Sequence, residues 1–182
     1  NQSFILAGVS FEGVTVYSVK ELREMYQSMV SKKTTVADLQ RLTVALTERY
    51  QKDGYLLASA YIPGQTVDDG SVVKIHVDEG FIGKVEFHGV DPTSPVSKLA
   101  KRYTENIQVQ RPLTSAHLER YLLFINDLPG NAARAILRPS ESGDGSTDLI
   151  IYYERKNMDA SFVSDNRGSR YLGPWQHSLS VS

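Results

Sequence analysis

The chain contains the same short pattern twice, about 76 residues apart. Residues 9–14 (VSFEGV) recur as residues 85–90 (VEFHGV), and residues 37–41 (ADLQR) recur as residues 116–120 (AHLER). A period of this length predicts two tandem copies of one small domain rather than a single fold. Tandem small domains without a catalytic cluster usually present surfaces to other macromolecules, so the pattern favours recognition over chemistry.

The repeat divides the chain into three predicted segments. The first domain spans residues 1–80, the second spans residues 81–156, and residues 157–182 follow with a different pattern. Only Gly80 or so separates the last strand of the first copy from the first strand of the second. A joint this short cannot behave as a floppy tether, so we expect a semi-rigid rod with a limited hinge.

Composition narrows the possible function classes. The 182 residues carry a formal net charge of −1, whereas binding to nucleic-acid phosphates needs a basic surface. The chain has no cysteine, which excludes disulfides and thiolate zinc sites. Its four histidines lack metal-ligand spacing, and it has neither a nucleophile elbow nor a glycine-rich phosphate loop. We therefore predict no catalytic residue, metal, cofactor, nucleic-acid partner or small-molecule substrate.

Two acidic stretches resemble chemical sites only superficially. Asp78 and Glu79 are adjacent in a predicted strand, so their side chains point to opposite faces. We interpret them as a solvated strand end. Residues 144–148 (DGSTD) lack the full ligand ladder of a calcium loop and are predicted to form a polar hairpin turn.

Each copy has the pattern strand, helix, helix, strand, strand. In the first copy, Ser18 and Glu21 have the spacing of a capping box, which predicts the start of a helix. The second strand is predicted over residues 55–62, and its inward-facing residues are Leu56, Ala58, Ala60 and Ile62. The pattern predicts an α+β unit in which two helices cover one face of a three-stranded sheet.

The second copy follows the same plan. Ser94 before Pro95 predicts a helix start, because proline is favoured at the first helical position. The inner face of its second strand is predicted to consist of Ala133, Ala135 and Leu137, and a polar turn follows.

The C-terminal segment shows a strand pattern of its own. Trp175, His177, Leu179 and Val181 alternate with small polar residues. A membrane β-strand alternates in this way between its lipid face and its lumen face, although a half-buried strand of a soluble domain gives the same pattern.

Two such units followed by residues 164–176 (SDNRGSRYLGPWQ) resemble the periplasmic region of two-partner secretion outer-membrane transporters of the TpsB/ShlB type. The repeats look like the tandem POTRA domains of that family, which are βααββ units with a three-stranded mixed sheet. The resemblance implies that residues 157–182 start a transmembrane β-barrel. The residues of its most specific element are Asp165, Asn166, Arg167, Gly168, Arg170 and Gly173.

The resemblance also implies a location and partners. It places the chain at the periplasmic face of the Gram-negative outer membrane. The expected partners are the N-terminal secretion domain of a secreted exoprotein, such as a haemolysin or an adhesin, and the chain's own C-terminal barrel. A sheet covered on one face leaves edge strands with unpaired backbone groups, to which an unfolded client can add itself as a further strand.

The second strand lies at a sheet edge in the resembling family. In the first copy its outward residues form the hypothetical client-binding set, which is Tyr55, Leu57, Ser59 and Tyr61. The second copy has the more basic set Arg134, Ile136 and Arg138, which we expect to relay and orient the client. The alternative is that Leu57 and Tyr61 pack against a neighbouring loop or the other domain.

A second class of protein has similar domains. A POTRA-type scaffold could belong to an outer-membrane protein assembly factor or to a cell-division protein. An assembly factor normally has more copies, and a division protein would have a membrane helix before the domain. Two copies followed by the stretch that begins at Asp165 therefore favour secretion.

Overall fold

The structure is a computed structural model that describes residues 3–89, 91–128, 131–155, 160–165 and 176–181. Each repeat builds a sheet with two helices, and a hairpin follows. The elements of the first repeat are β1 (Ser3–Glu12), α1 (Val19–Tyr26), β2 (Lys33–Thr35), α2 (Val36–Lys52), β3 (Ser59–Tyr61) and β4 (Ser71–Asp78). Those of the second are β5 (Phe81–His88), α3 (Pro95–Val109), α4 (Ser115–Asn126), β6 (Asn131–Pro139) and β7 (Ser146–Arg155).

The two sheets share one topology. In the first, the strand order is β2-β1-β4-β3, with β1 parallel to β4 and β3 antiparallel to β4. In the second, the order is β5-β7-β6, with β5 parallel to β7 and β6 antiparallel to β7. The predicted α+β class and the mixed three-stranded arrangement are confirmed. Strand β2 is an addition that the sequence pattern did not predict, and it pairs with the start of β1.

Local sequence signals set the helix starts. Ser18 and Glu21 form the predicted capping box before α1, and Thr35 with Asp38 forms a second one before α2. Ser94 caps α3, with Pro95 in its first turn. The side-chain oxygens satisfy backbone N–H groups that the helix leaves free, so the polar residues at these positions determine where each helix begins.

Each repeat has its own hydrophobic core between sheet and helices. The side chains of the first core with the least exposure are Leu6, Leu39, Leu46, Tyr50, Val73, Ile75 and Val77. Those of the second are Ile82, Ala100, Ile107, Leu113, Ile125, Leu149 and Ile151. Full burial of one large aliphatic side chain stabilises a fold by about 1.5–3 kcal/mol, so each core can hold its own repeat together.

The repeated glycine of the two copies has a steric cause. Gly13 and Gly89 both have φ of 82°. A Cβ at Gly13 would lie 2.2 Å from the carbonyl oxygen of Val77, and one at Gly89 would lie 2.3 Å from that of Tyr153. Only glycine allows this conformation and this close approach, which explains why the motif recurs with glycine unchanged.

Strand β3 is much shorter than predicted. The expected strand at residues 55–62 is a strand only at Ser59–Tyr61. Gly54 has φ of 95°, and the N–H of Ala58 donates to the carbonyl of Tyr55, so a turn replaces the start of the strand. Strand alternation therefore fails there: Leu56, predicted to point inward, is 52% exposed.

Direct contacts join the two repeats. The N–H of Leu113 donates to the carbonyl of Gly80 at 3.0 Å, and the N–H of Ser115 donates to that of Gly54 at 2.7 Å. Leu57 of the first repeat packs against the core of the second. The joint at Gly80 is therefore supported by contacts on both sides of it.

The C-terminal segment contains two paired strands. Strand β8 (Ala160–Asp165) pairs antiparallel with β9 (Gln176–Val181). The alternating pattern at residues 175–181 correctly predicted a strand. The unpaired edges of such strands predict that this segment, taken without a barrel, is disordered or pairs with another molecule. The two described strands instead pair with each other.

Among the helices of the described residues, none combines the length and the apolar character that a membrane crossing requires.

Candidate functional site at the sheet edges

The two sheets present edges of very different length. The first sheet ends in β2 and β3, which have three residues each. The second ends in β5, with eight residues, and β6, with nine. No described strand pairs with the outer side of β6. The longest run of available edge backbone is therefore at β6, in the second repeat.

Hydrogen bonds around β6 show which backbone groups point outward. The N–H of Ala133 donates away from the sheet, to Asn126 Oδ1 at 3.0 Å. Next to the strand, the N–H of Ser140 donates across to the carbonyl of Ser146 at 3.1 Å. Since the direction alternates along an antiparallel strand, the N–H and C=O groups of Ala135 and Leu137 point away from β7.

We call these outward groups the β6 edge. They comprise the N–H and C=O groups of Ala135 and Leu137 together with the carbonyls of Ala133 and Pro139. Pro139 has no N–H, and the N–H of Ala133 is already bonded to Asn126. The β6 edge is therefore open in its middle and limited at both ends.

An apolar cleft lies beside the β6 edge, between helix α4 and the strand. Its volume is about 480 Å³. We call it the α4/β6 groove, and its lining residues are Glu119, Leu122, Leu123, Ile125, Asn126, Ala133, Ala135 and Ile151. Leu123 is 61% exposed, although a large aliphatic side chain gains from burial. The groove can therefore accept apolar side chains of a segment that pairs with the edge.

The other face of β6 is basic. Arg134, Ile136 and Arg138 lie opposite Tyr152, Ile150 and Asp148 of β7. Arg138 is 3.4 Å from the carboxylate of Asp148 and 3.8 Å from that of Glu86. Arg134 makes no ion pair within the described part of the chain, so its charge is available.

The edge of the first repeat is smaller and partly closed. The N–H of Ala60 in β3 donates to Thr47 Oγ1 at 3.0 Å. Thr47 corresponds to Asn126 in the repeat, so a helix side chain caps the corresponding outward amide of the edge strand in both copies. With three residues in β3 and Pro63 soon after it, little backbone remains for a partner.

The structure does not bring the predicted client-binding set together. Ser59 is exposed in β3, and Tyr61 is 46% exposed, with its ring 5.2 Å from that of His76. Tyr55 packs against the first core, and Leu57 packs against the second. Leu57 therefore packs against the other domain, which was the alternative interpretation of this residue. Only Ser59 and Tyr61 remain on one accessible edge.

The predicted barrel-start residues fall almost entirely outside the described part of the chain. Asp165 is the last residue of β8. Asn166, Arg167, Gly168, Arg170 and Gly173 lie outside the described residues.

Sequence reasoning missed the role of Glu79. It is buried, with 9% exposure, rather than part of a solvated patch. Its carboxylate accepts the N–H groups of Thr15 and Val16, the hydroxyl of Thr15, and the hydroxyl of Tyr50 at 2.7 Å. Burial raises the pKa of Glu79, but these hydrogen bonds together outweigh it and hold the pKa below its ordinary value.

No repeated signal pointed to Glu79, because the second copy has Arg155 at the corresponding position. Glu79 directly precedes Gly80, and its hydrogen bonds hold the loop after β1 and helix α2 at this point of the chain. It is therefore a structural anchor at the end of the first repeat.

The polar loop between β6 and β7 is a turn, as predicted. The Asp144 carboxylate accepts hydrogen bonds from the hydroxyls of Ser142 and Ser146 and from the N–H of Ser146. These bonds lower the pKa of Asp144 to about 2. Among the described residues, no cluster of three or more histidine, aspartate or glutamate side chains could hold a metal ion.

The fold and its edges define a class of domain, and comparison with known proteins shows which domains it resembles. Residues 4–80 match the family model described as POTRA domain, ShlB-type. The first repeat is therefore similar to this domain family, and the resemblance to two-partner secretion transporters is confirmed.

Relatives of known name are transporters. The chain is 29% identical over 159 residues to the heme/hemopexin transporter protein HuxB of Haemophilus influenzae, a match that covers 86% of this chain and 27% of HuxB. It is 28% identical to the hemolysin transporter protein ShlB of Serratia marcescens, over 96% of this chain and 29% of ShlB. The chain thus spans less than a third of the length of these relatives. Their names describe transporters, which agrees with the prediction of no catalytic role.

Solved structures show the same fold. CdiB from Escherichia coli superimposes with a TM-score of 0.76 at 20% identity, covering 100% of this chain and 33% of that one. The N-terminal domain of Omp85 from Thermosynechococcus elongatus gives a TM-score of 0.65 at 19% identity, covering 85% of this chain and 67% of that one. At these identities the likeness concerns the fold alone.

Proposed function

We propose that this chain is the client-recognition region of a two-partner secretion transporter. It lies at the periplasmic face of the Gram-negative outer membrane and binds an unfolded segment of a secreted exoprotein, within that protein's N-terminal secretion domain. It then delivers the client to a β-barrel that begins at residues 157–182. The named transporter relatives and the ShlB-type domain support this assignment.

The observation that carries the proposal is the β6 edge beside the α4/β6 groove. Outward backbone groups at Ala135 and Leu137 can form main-chain hydrogen bonds with an added strand, and the groove can bury its alternate side chains. Backbone pairing reads no particular sequence, which suits a client that is still unfolded.

The two repeats then have unequal roles. The β6 edge is the principal contact, and Ser59 with Tyr61 on β3 forms a smaller, secondary one. Leu57 instead holds the repeats together. Recognition by the first copy, as proposed from the sequence, is thus retained only for these two residues.

The principal contact can be tested by removing one outward donor. Ala135→Pro deletes an N–H that points away from β7, so the sheet keeps its ladder. We expect the affinity for the unfolded N-terminal region of the secreted exoprotein to fall about tenfold. The loss combines one hydrogen bond, about 0.5–1.5 kcal/mol, with a methylene group placed where the partner's carbonyl would approach. Fluorescence anisotropy measures the change.

Ala135→Ser is the matched control, because it keeps the N–H and should bind within about twofold of the parent chain. Circular dichroism and the thermal midpoint show whether Ala135→Pro remains folded. A folded Ala135→Pro variant with the parent's affinity would rule out pairing at the β6 edge.

The secondary contact has its own variant. Tyr61→Lys removes an exposed ring from β3 without touching the junction, unlike any change at Leu57. We expect a loss of client affinity of about twofold to threefold, because one partly exposed aromatic contact is removed. In the same anisotropy assay, a loss larger than that of Ala135→Pro would move the principal site to the first repeat.

A further inference from the structure

The two faces of β6 differ in chemistry, and this difference constrains what can pair with it. Ala133, Ala135 and Leu137 lie opposite residues of the second core and share the face of the α4/β6 groove. Arg134, Ile136 and Arg138 occupy the other face. Side chains of an added strand alternate between the same two faces, so its odd and even positions meet different surroundings.

The ends of the β6 edge limit the length of the added strand. Asn126 already occupies the N–H of Ala133, and Pro139 has none to give. Pairing therefore runs from the carbonyl of Ala133 to the carbonyl of Pro139, which is a window of about seven residues. Residues of the partner opposite Ala135 and Leu137 point toward the groove.

The charges on the open face favour carboxylates at two positions. Arg134 and Arg138 are four residues apart, about 13 Å along the strand. Glu86 and Asp148 partly neutralise Arg138, whereas the described residues provide no ion pair for Arg134. Opposite charges on directly facing residues stabilise a strand pair, and a carboxylate opposite Arg134 meets the freer cation.

We propose that the β6 edge selects an extended segment of about seven residues that alternates apolar and polar side chains. Its odd positions are apolar and fill the α4/β6 groove. Its second and sixth positions are acidic and face the two arginines. The inference rests on the proposed function and specifies which part of an exoprotein the chain would recognise.

Synthetic heptapeptides test the pattern on the full 182-residue chain. The probe is fluorescein-labelled, end-capped Val-Glu-Val-Thr-Val-Glu-Val, which has the same sequence in both directions and so fits either strand orientation. Two comparison peptides accompany it. One has lysine in place of each glutamate, and the other has the same composition as the probe with its valines grouped together. We expect the acidic alternating peptide to bind at least threefold more tightly than either. Its preference over the lysine peptide should shrink as salt rises, because exposed charges are screened.

Charge reversal separates recognition from a general attraction. Arg134→Glu should abolish the preference for the acidic peptide and favour the lysine peptide instead. Arg102→Glu makes the same change of charge on exposed α3, whose sheet contacts are with β5, and should leave the preference intact. Both positions are exposed, so neither variant should lose its fold.

The outcomes distinguish this inference from the proposed function. If Ala135→Pro weakens exoprotein binding while the peptides bind equally or not at all, the selected pattern is wrong and the proposed function stands. An unchanged preference in Arg134→Glu would also overturn the pattern. If Ala135→Pro, still folded, leaves exoprotein binding unchanged and none of the peptides binds, pairing at the β6 edge fails together with the inference.

Discussion

Replacing Glu79 with alanine is expected to lower the free energy of unfolding of this chain by about 3–5 kcal/mol at neutral pH. The change leaves two backbone N–H groups, at Thr15 and Val16, without their acceptor. It also deprives the buried hydroxyl of Tyr50 of its partner. Each buried polar group without a partner costs about 1–3 kcal/mol. Urea denaturation followed by circular dichroism measures the loss.

The control is Glu12→Ala, which removes an exposed carboxylate of the first sheet that pairs with Lys74 and His76. Surface ion pairs contribute little, so its denaturation midpoint should stay close to that of the parent. If Glu79→Ala were no more destabilising than Glu12→Ala, Glu79 would not be the anchor that its contacts indicate.

The stability that Glu79 provides should depend on pH. Because its pKa is lower in the folded chain than the ordinary value of 4.5, the carboxylate stabilises the fold fully above that value and progressively less as the pH falls below it. Glu79→Gln has no charge to lose. Between pH 6 and the acid limit of folding, the thermal midpoint of the parent should therefore fall more steeply than that of Glu79→Gln, and parallel curves would contradict this origin of the effect.

Local patterns predicted much of this fold because their causes are local. The capping box at Ser18 and Glu21 is complete within four residues, and the αL glycines at Gly13 and Gly89 recur with the repeat. Alternation also predicted which face of β6 lies opposite the buried residues of β7, although Ala135 and Leu137 on that face are exposed. These features depend on neighbouring residues in the chain, so the sequence displays them directly.

Features that depend on distant partners were not predicted. Glu79 binds residues more than 60 positions away, at Thr15 and Val16. Strand β2 exists because it pairs with β1, not because of its own composition. The turn at Gly54 removed Leu57 from the predicted strand and placed it on the second core.

The candidate site shows the same division. The residues of β6 were predicted as a strand with one apolar face, but its capacity to bind a partner depends on hydrogen bonds outside the pattern. The N–H of Ala133 is capped by Asn126 from another element, and this bond reveals which amides point outward. The sequence placed the client-binding site in the first repeat because residues 55–61 are apolar and aromatic. Part of this apolar character has a structural cause, since Tyr55 packs against the first core and Leu57 packs at the junction between the repeats.

Gly80→Ala is expected to disrupt the junction between the repeats, at a total cost of about 2–4 kcal/mol. Gly80 has φ of 77°, and an added Cβ would lie 2.4 Å from the Cβ of Leu57 and 2.7 Å from its carbonyl oxygen. The linker or Leu57 must move, although Leu57 is packed on the second core and Leu113 is bonded to the Gly80 carbonyl. Calorimetry should show a lower unfolding midpoint and a broader or divided transition as the repeats lose their shared contacts.

Two other glycines separate the causes of this effect. Gly143 has φ of 68° but open space around its Cβ position, so Gly143→Ala carries only the backbone cost, about 1–2 kcal/mol. Gly64 has open space and no positive φ, so Gly64→Ala should be neutral or slightly stabilising. If Gly80→Ala costs no more than Gly143→Ala, the close approach of Gly80 to Leu57 does not hold the repeats together. If Gly80→Ala loses clearly more stability than Gly143→Ala, the contact between Gly80 and Leu57 is what joins the two POTRA-like units.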